Sequence, residues 1–114
     1  GIYVLEDNLK DPVFEDKMVR FVRASMKGWK YAEENAEEAA NIVLDNDETG
    51  AQTEAAQVRM MGEIAKLTAG SNGALVEADF QRTVDTLLAG GSDPVISKQP
   101  EGAWTSVITD KALN

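Results

Sequence analysis

The chain of 114 residues contains no cysteine and no histidine. Without cysteine there is no disulfide framework, so cysteine usage says nothing about the redox compartment. Without either residue there is no thiol nucleophile, no imidazole base, and no nitrogen or sulfur ligand for a metal. Most hydrolase and transferase constellations are thereby excluded, although carboxylate or lysine chemistry is not. Aromatic residues make up only 6%, so Leu, Val, Ile, Met and Ala must fill any core. No apolar run reaches 18 residues, which removes a membrane-spanning helix from consideration. The opening residues carry no basic segment followed by an apolar one, so this stretch holds no signal peptide. It also starts without an initiator Met, which gives the expectation of a processed or excised piece.

Positive charge is scarce overall. Eleven Lys and Arg stand against twenty Asp and Glu, for a net charge of −9. Phosphate backbones need a basic footprint, so nucleic acid is not an expected partner. Anionic lipid and membrane insertion are disfavoured as well. The charge is unevenly spread. Lys10, Lys17, Arg20, Arg23, Lys27 and Lys30 fall in the first helical region. Glu33, Glu34, Glu37, Glu38, Asp45, Asp47 and Glu48 follow without a base among them. Two solvated faces are the simplest account.

What is present is mostly helical periodicity. Hydrophobic residues make up 43%, enough for one small domain. Phe14, Met18, Phe21, Val22, Trp29 and Ala32, with small Ser25, recur at the three- and four-residue steps of a helix face. They predict a helix over about 12–33, opened by Asp11 as cap and Pro12 at the first helical position. Residues 2–5, Ile-Tyr-Val-Leu, read as a short strand that would need a sheet partner. Asn35 and Glu38 form a capping-box pattern for a helix over about 36–44. Further helices are expected over about 53–67, 79–88 and 103–113. Their inward residues are Ala56, Met60, Met61, Ile64 and Leu67, then Phe80, Val84, Leu87 and Leu88, then Trp104, Val107 and Ile108. Gly90 is placed to follow the fourth of these helices. The expected fold class is mainly α with one short N-terminal strand.

Few residues suggest a site. Asp45, Asp47, Thr49 and Gly50 mimic the start of a calcium loop, but the bidentate Glu needed at its twelfth position is Ala56. An acidic loop at a helix end fits better. Tyr3, Glu6, Asp7 and Asn8 stand at the end of the strand, where α/β proteins often contact ligands. They are the candidate ligand-binding residues. No catalytic residue, metal ligand or cofactor is expected. Trp29 and Trp104 read as core, as do the methionines.

Residues 1–45 resemble the late portion of substrate-binding proteins of ABC importers, of the nitrate/sulfonate/taurine and thiamine-pyrimidine-precursor group. The resemblance rests on Phe21-Val22-Arg23-Ala24-Ser25-Met26-Lys27-Gly28-Trp29-Lys30-Tyr31-Ala32, followed by Asn35-Ala36-Glu37-Glu38-Ala39-Ala40. Ala36 stands where the family usually has Pro. Gly90-Gly91 and Gly102-Ala103-Trp104-Thr105 fit its tail. The resemblance implies a two-lobed type II periplasmic-binding-protein fold, of which this is the helical C-terminal part. It implies a periplasmic parent that delivers a small anionic or heterocyclic nutrient to a membrane permease. A piece lacking half the cleft is not expected to bind that ligand alone, and its uncovered apolar faces predict a homodimer with exchanged helices or an exchanged N-terminal strand. The alternatives are a self-standing helical protein-interaction domain and a fragment of a thiamine-pyrimidine biosynthesis-type enzyme.

Overall fold

In the computed structural model, which describes residues 1–113, the chain is a series of helices. A short 3-10 turn at Glu6–Lys10 leads into α1, Pro12–Glu34. α2 is Ala36–Asp45, α3 is Glu54–Thr68, α4 is Glu77–Leu88 and α5 is Val107–Ala112. The first four helices fall where hydrophobic periodicity puts them. α1 starts as its sequence dictates. Asp11 accepts from the Val13 amide at 2.9 Å, and Pro12 follows it. Thr53 caps α3 more loosely, accepting from the Ala56 amide at 3.4 Å.

Several expectations need correction. Residues 2–5 form no strand. Leu5 is extended, with φ −71° and ψ 132°, but a strand requires a neighbour to complete its ladder and no described segment provides one. All four side chains, Ile2, Tyr3, Val4 and Leu5, are exposed. The last helix is also shorter than expected. Ala103 to Ser106 stay outside it, because the Thr105 hydroxyl takes the Val107 amide and Ser106 donates to Asp110 at 2.8 Å. Finally, Asn35 does not form the capping box. A single residue separates α1 from α2, and its amide turns back to donate to the Tyr31 carbonyl at 3.0 Å. Asn35 therefore closes α1 with its side chain instead of capping α2. Glu38 meets the Tyr31 hydroxyl, and this bond, with burial and the carboxylate charge, holds that hydroxyl above its ordinary 10.0.

The core is thin. Val19 and Val22 of α1 enclose Ala112 of α5, with Met26, Ile108 and Leu113 around them. Arg23 reaches over this contact. Its Nη2 donates to the Lys111 carbonyl at 2.9 Å, supplying a carbonyl that the end of α5 leaves without a helical partner. Lys111 in turn pairs with Glu15. α2 lies against α3 and the end of α1, where buried Ala39 and Ala40 permit close approach.

α3 turns a different face inward from the one its apolar residues mark. Gln57 is buried, and Met61, Ile64, Ala65 and Thr68 are half-buried. Ala56, Met60 and Leu67 are exposed. The polar members are tolerated because each is bonded, Gln57 to Gln52 at 2.5 Å and Thr68 to Glu33 at 2.6 Å.

α4 packs against no other helix among the described residues. It packs on the loop that follows it. Val84 is buried, Phe80 lies 6.2 Å from the Trp104 ring, and Gln81 and Gln99 exchange amide hydrogen bonds at 3.0 and 3.2 Å. Gly90 is required by that loop's close return. A Cβ there would stand 2.7 Å from the Pro94 Cα. The left-handed conformation expected after α4 belongs to its neighbour Gly91, at φ 64°.

The outcome is an open arrangement. The radius of gyration is 17.6 Å, against about 13 Å for a compact domain of this length. The accessible surface is 8866 Å², against about 6,100 Å² for a compact monomer of this mass.

Candidate functional site

A concavity lies between α1, the C-terminal end of α3 and the loop after it. Its volume is about 590 Å³. Met26, Trp29 and Ile64 give it an apolar floor, while Lys30, Glu33 and Thr68 stand at its polar rim. Helical spacing explains the α1 side. Residues 26, 29, 30 and 33 follow one another at steps of three, one and three, which places them along one strip.

Each wall is held by a specific contact. Thr68 donates from its hydroxyl to Glu33 Oε1 at 2.6 Å, joining the ends of α1 and α3. The same oxygen lies 3.0 Å from the Ile64 carbonyl, the back-bond a helical threonine makes when it has no better acceptor. A charge-assisted bond to carboxylate is the stronger of the two. Gly73 closes the far side at φ 84°. A Cβ there would lie 2.6 Å from the sulfur of the flexible Met26 side chain, and the left-handed backbone is what favours glycine at this position. Lys30 stands 3.9 Å from Glu34, an exposed pair of little energetic weight.

The cleft presents a half-exposed indole and a thioether beside a carboxylate and an ammonium. That is the make-up of a surface that receives an apolar group with a polar edge. Trp29, read from sequence as core, is 49% exposed.

Tyr3, Glu6, Asp7 and Asn8 lie elsewhere. Glu6, Asp7 and Asn8 are consecutive in the 3-10 turn, and Tyr3 precedes it at 90% exposure. Asp7 is engaged by Lys10 at 2.6 Å. The Asn8 amide donates to the Leu5 carbonyl, and the Asn8 carbonyl accepts from Asp11. Together they make the exposed entry to α1, and none of them lines the cleft.

The acidic loop after α2 is occupied by its own backbone. Asp47 accepts from the Thr49 hydroxyl at 2.5 Å, and from the amides of Thr49 and Gln52, each at 2.9 Å. The hydroxyl bond leads in holding the Asp47 carboxyl below its ordinary 3.8, with the Gln52 amide next. Its oxygens thus turn into the loop, where they tie residues 47–52 into a closed turn.

Sequence reading missed the cleft because its parts come from three distant segments. Met26 and Trp29 resemble core, Thr68 resembles a helix end, and Gly73 resembles a stop. No spacing links them. No protein-family model, curated protein or solved structure matches the chain.

Proposed function

We propose that this chain is the helical C-terminal part of a substrate-binding protein serving an ABC importer, of the nitrate/sulfonate/taurine and thiamine-pyrimidine-precursor group. It works as a binding module rather than an enzyme, in a periplasmic parent that hands its solute to a permease. The observation that carries this reading is the resemblance of residues 21–32 and 35–40 to that family. Its support in the fold is that those residues form a coherent unit. Residues 21–32 lie within α1, Asn35 makes the elbow, and Ala39 and Ala40 are the buried face of α2. An accessible surface far larger than a compact monomer's suits a piece made to lie against other structure. On this reading the ligand is gripped mainly by other parts of the parent, with Tyr3, Glu6, Asp7 and Asn8 the residues of this chain nearest the cleft between its lobes.

The test is the coding sequence upstream of Gly1. A signal peptide and two α/β lobes in frame support the importer reading. A start codon immediately before Gly1 overturns it. The full product is then challenged by thermal shift with nitrate, taurine, an alkanesulfonate, bicarbonate and a pyrimidine precursor in turn. One of these must stabilise it.

A second reading has one specific observation in its favour. Residues 2–5 form no strand, and every regular element among the described residues is helical. A self-standing helical interaction domain would look like this, and the start codon named above is the outcome that selects it.

A further inference from the structure

The cleft between α1 and α3 sits where two helices end. α1 stops at Glu34 and α3 at Thr68, and both terminal residues line it. A helix C-terminus carries about half an elementary negative charge. Neither end is neutralised by its own last turn. That of α1 holds no basic residue, and Lys66 in that of α3 is paired with Glu63 at 2.9 Å. The side chains add to this field. Glu33 and Glu34 stand against Lys30, the one cation that lines the cleft, and Lys30 lies 3.9 Å from Glu34. Glu33 is left. Thr68 engages its Oε1, and its Oε2 has no hydrogen-bond partner among the described residues. Trp29 lies one turn before Glu33 on the same strip. Its indole is half exposed, and among the described residues no ring and no cation of the chain stacks on it.

We propose that this cleft binds a small organic cation, an alkyl- or arylalkylammonium. Its charged nitrogen sits over the Trp29 indole beside Glu33, and its hydrocarbon arm lies against Met26 and Ile64. Charge complementarity selects this class. Of the aromatic faces, that of Trp attracts a cation most strongly, and the two helix ends and the free Glu33 oxygen pull in the same direction. An anion would meet all three with the wrong sign. A neutral apolar molecule would use the floor and leave the field unanswered. A bare metal ion fits poorly, because a hard cation needs a shell of oxygens and this floor is hydrocarbon and thioether. A volume of about 590 Å³ suits a small ligand. The site does not depend on the importer reading, in which the transported solute is held elsewhere in the parent.

The test is titration of the isotope-labelled chain with benzyltrimethylammonium, followed by the NMR signals of the Trp29 indole N–H and the Gly73 amide. Benzyl alcohol, neutral, and benzenesulfonate, anionic, carry the same ring and serve as comparisons. The ammonium should shift both signals saturably, with the alcohol weaker and the sulfonate without effect. Glu33→Gln keeps an oxygen for Thr68 and removes only charge, so it should weaken binding about fivefold with unchanged far-UV circular dichroism. Trp29→Leu, read at Gly73, should weaken it about two- to thirtyfold. Signals that do not move, or that move as far with benzyl alcohol or benzenesulfonate, overturn the proposal. Binding unaffected by either substitution also overturns it and puts the cation elsewhere on the acidic surface. None of these outcomes bears on the importer reading, which the upstream coding sequence decides.

Discussion

Arg23 Nε donates to the carbonyl of Ala112 at 3.2 Å, joining the middle of α1 to the last turn of α5 across 89 positions of chain. With its second bond to Lys111 it holds the last turn of α5 in place. α5 is only six residues long, too short to be stable as an isolated helix. Its existence therefore depends on α1.

Replacing Arg23 by Ala should cost about 1–2 kcal/mol, the ordinary range for hydrogen bonds from a charged donor, reduced here by partial exposure. The loss should appear first as faster amide exchange in residues 107–113. Arg23→Lys should recover little of it, because an ammonium cannot reproduce the two-pronged reach.

Ala112 is 4% exposed between Val19 and Val22. Ala112→Leu should destabilise by about 1–3 kcal/mol through overpacking, read from the denaturant midpoint. Equal stability would mean that α5 does not sit between those valines in solution.

α4 and its trailing loop should open independently of the other helices. Val84→Ala removes two buried carbon groups at a site 3% exposed, for about 1.5–2 kcal/mol. Hydrogen exchange should accelerate through residues 77–104 while amides in the middle of α1 keep their protection. Uniform acceleration across the chain would show that α4 is coupled to the helices it does not touch.

Acid should loosen the loop at 47–52 before it unfolds the helices. The Asp47 carboxyl is held below its ordinary value of 3.8, so the folded loop prefers the charged form. That preference contributes stability in full above the ordinary value, and the contribution is lost as pH falls through the lowered one. The Gln52 and Thr49 amides should lose protection over that range. In Asp47→Asn the loss should already be present at neutral pH, with no further acid step.

Gly73→Ala should narrow the cleft from below. The left-handed backbone costs an L-residue about 1–2 kcal/mol, and the new methyl must push the flexible end of Met26 aside. Trp29, which lines the same cleft, should report the change as a shift in fluorescence.

Local chemistry determined much of this protein. Asp11-Pro12 starts α1, Thr53 starts α3, and the spacing of Phe80, Val84, Leu87 and Leu88 gives both the position and the inward face of α4. These depend on groups within one or two turns of each other, so they are legible without a fold. The covered side of α1 is marked in the sequence by Val22, Phe14 and Met18, but that Phe21 and Trp29 stay exposed was settled only by tertiary structure. α5 centres on Val19 and Val22, because small Ala112 fits between them while Arg23 reaches the carbonyls beyond it. α3 follows the same logic. Gln57 and Thr68 turn inward because Gln52 and Glu33 meet them, partners that hydrophobic periodicity does not register. Residues 2–5 have the composition of a strand, but a strand is a property of two segments and the described residues offer only one. The cleft likewise exists only where α1, α3 and Gly73 converge, which no single stretch of sequence records.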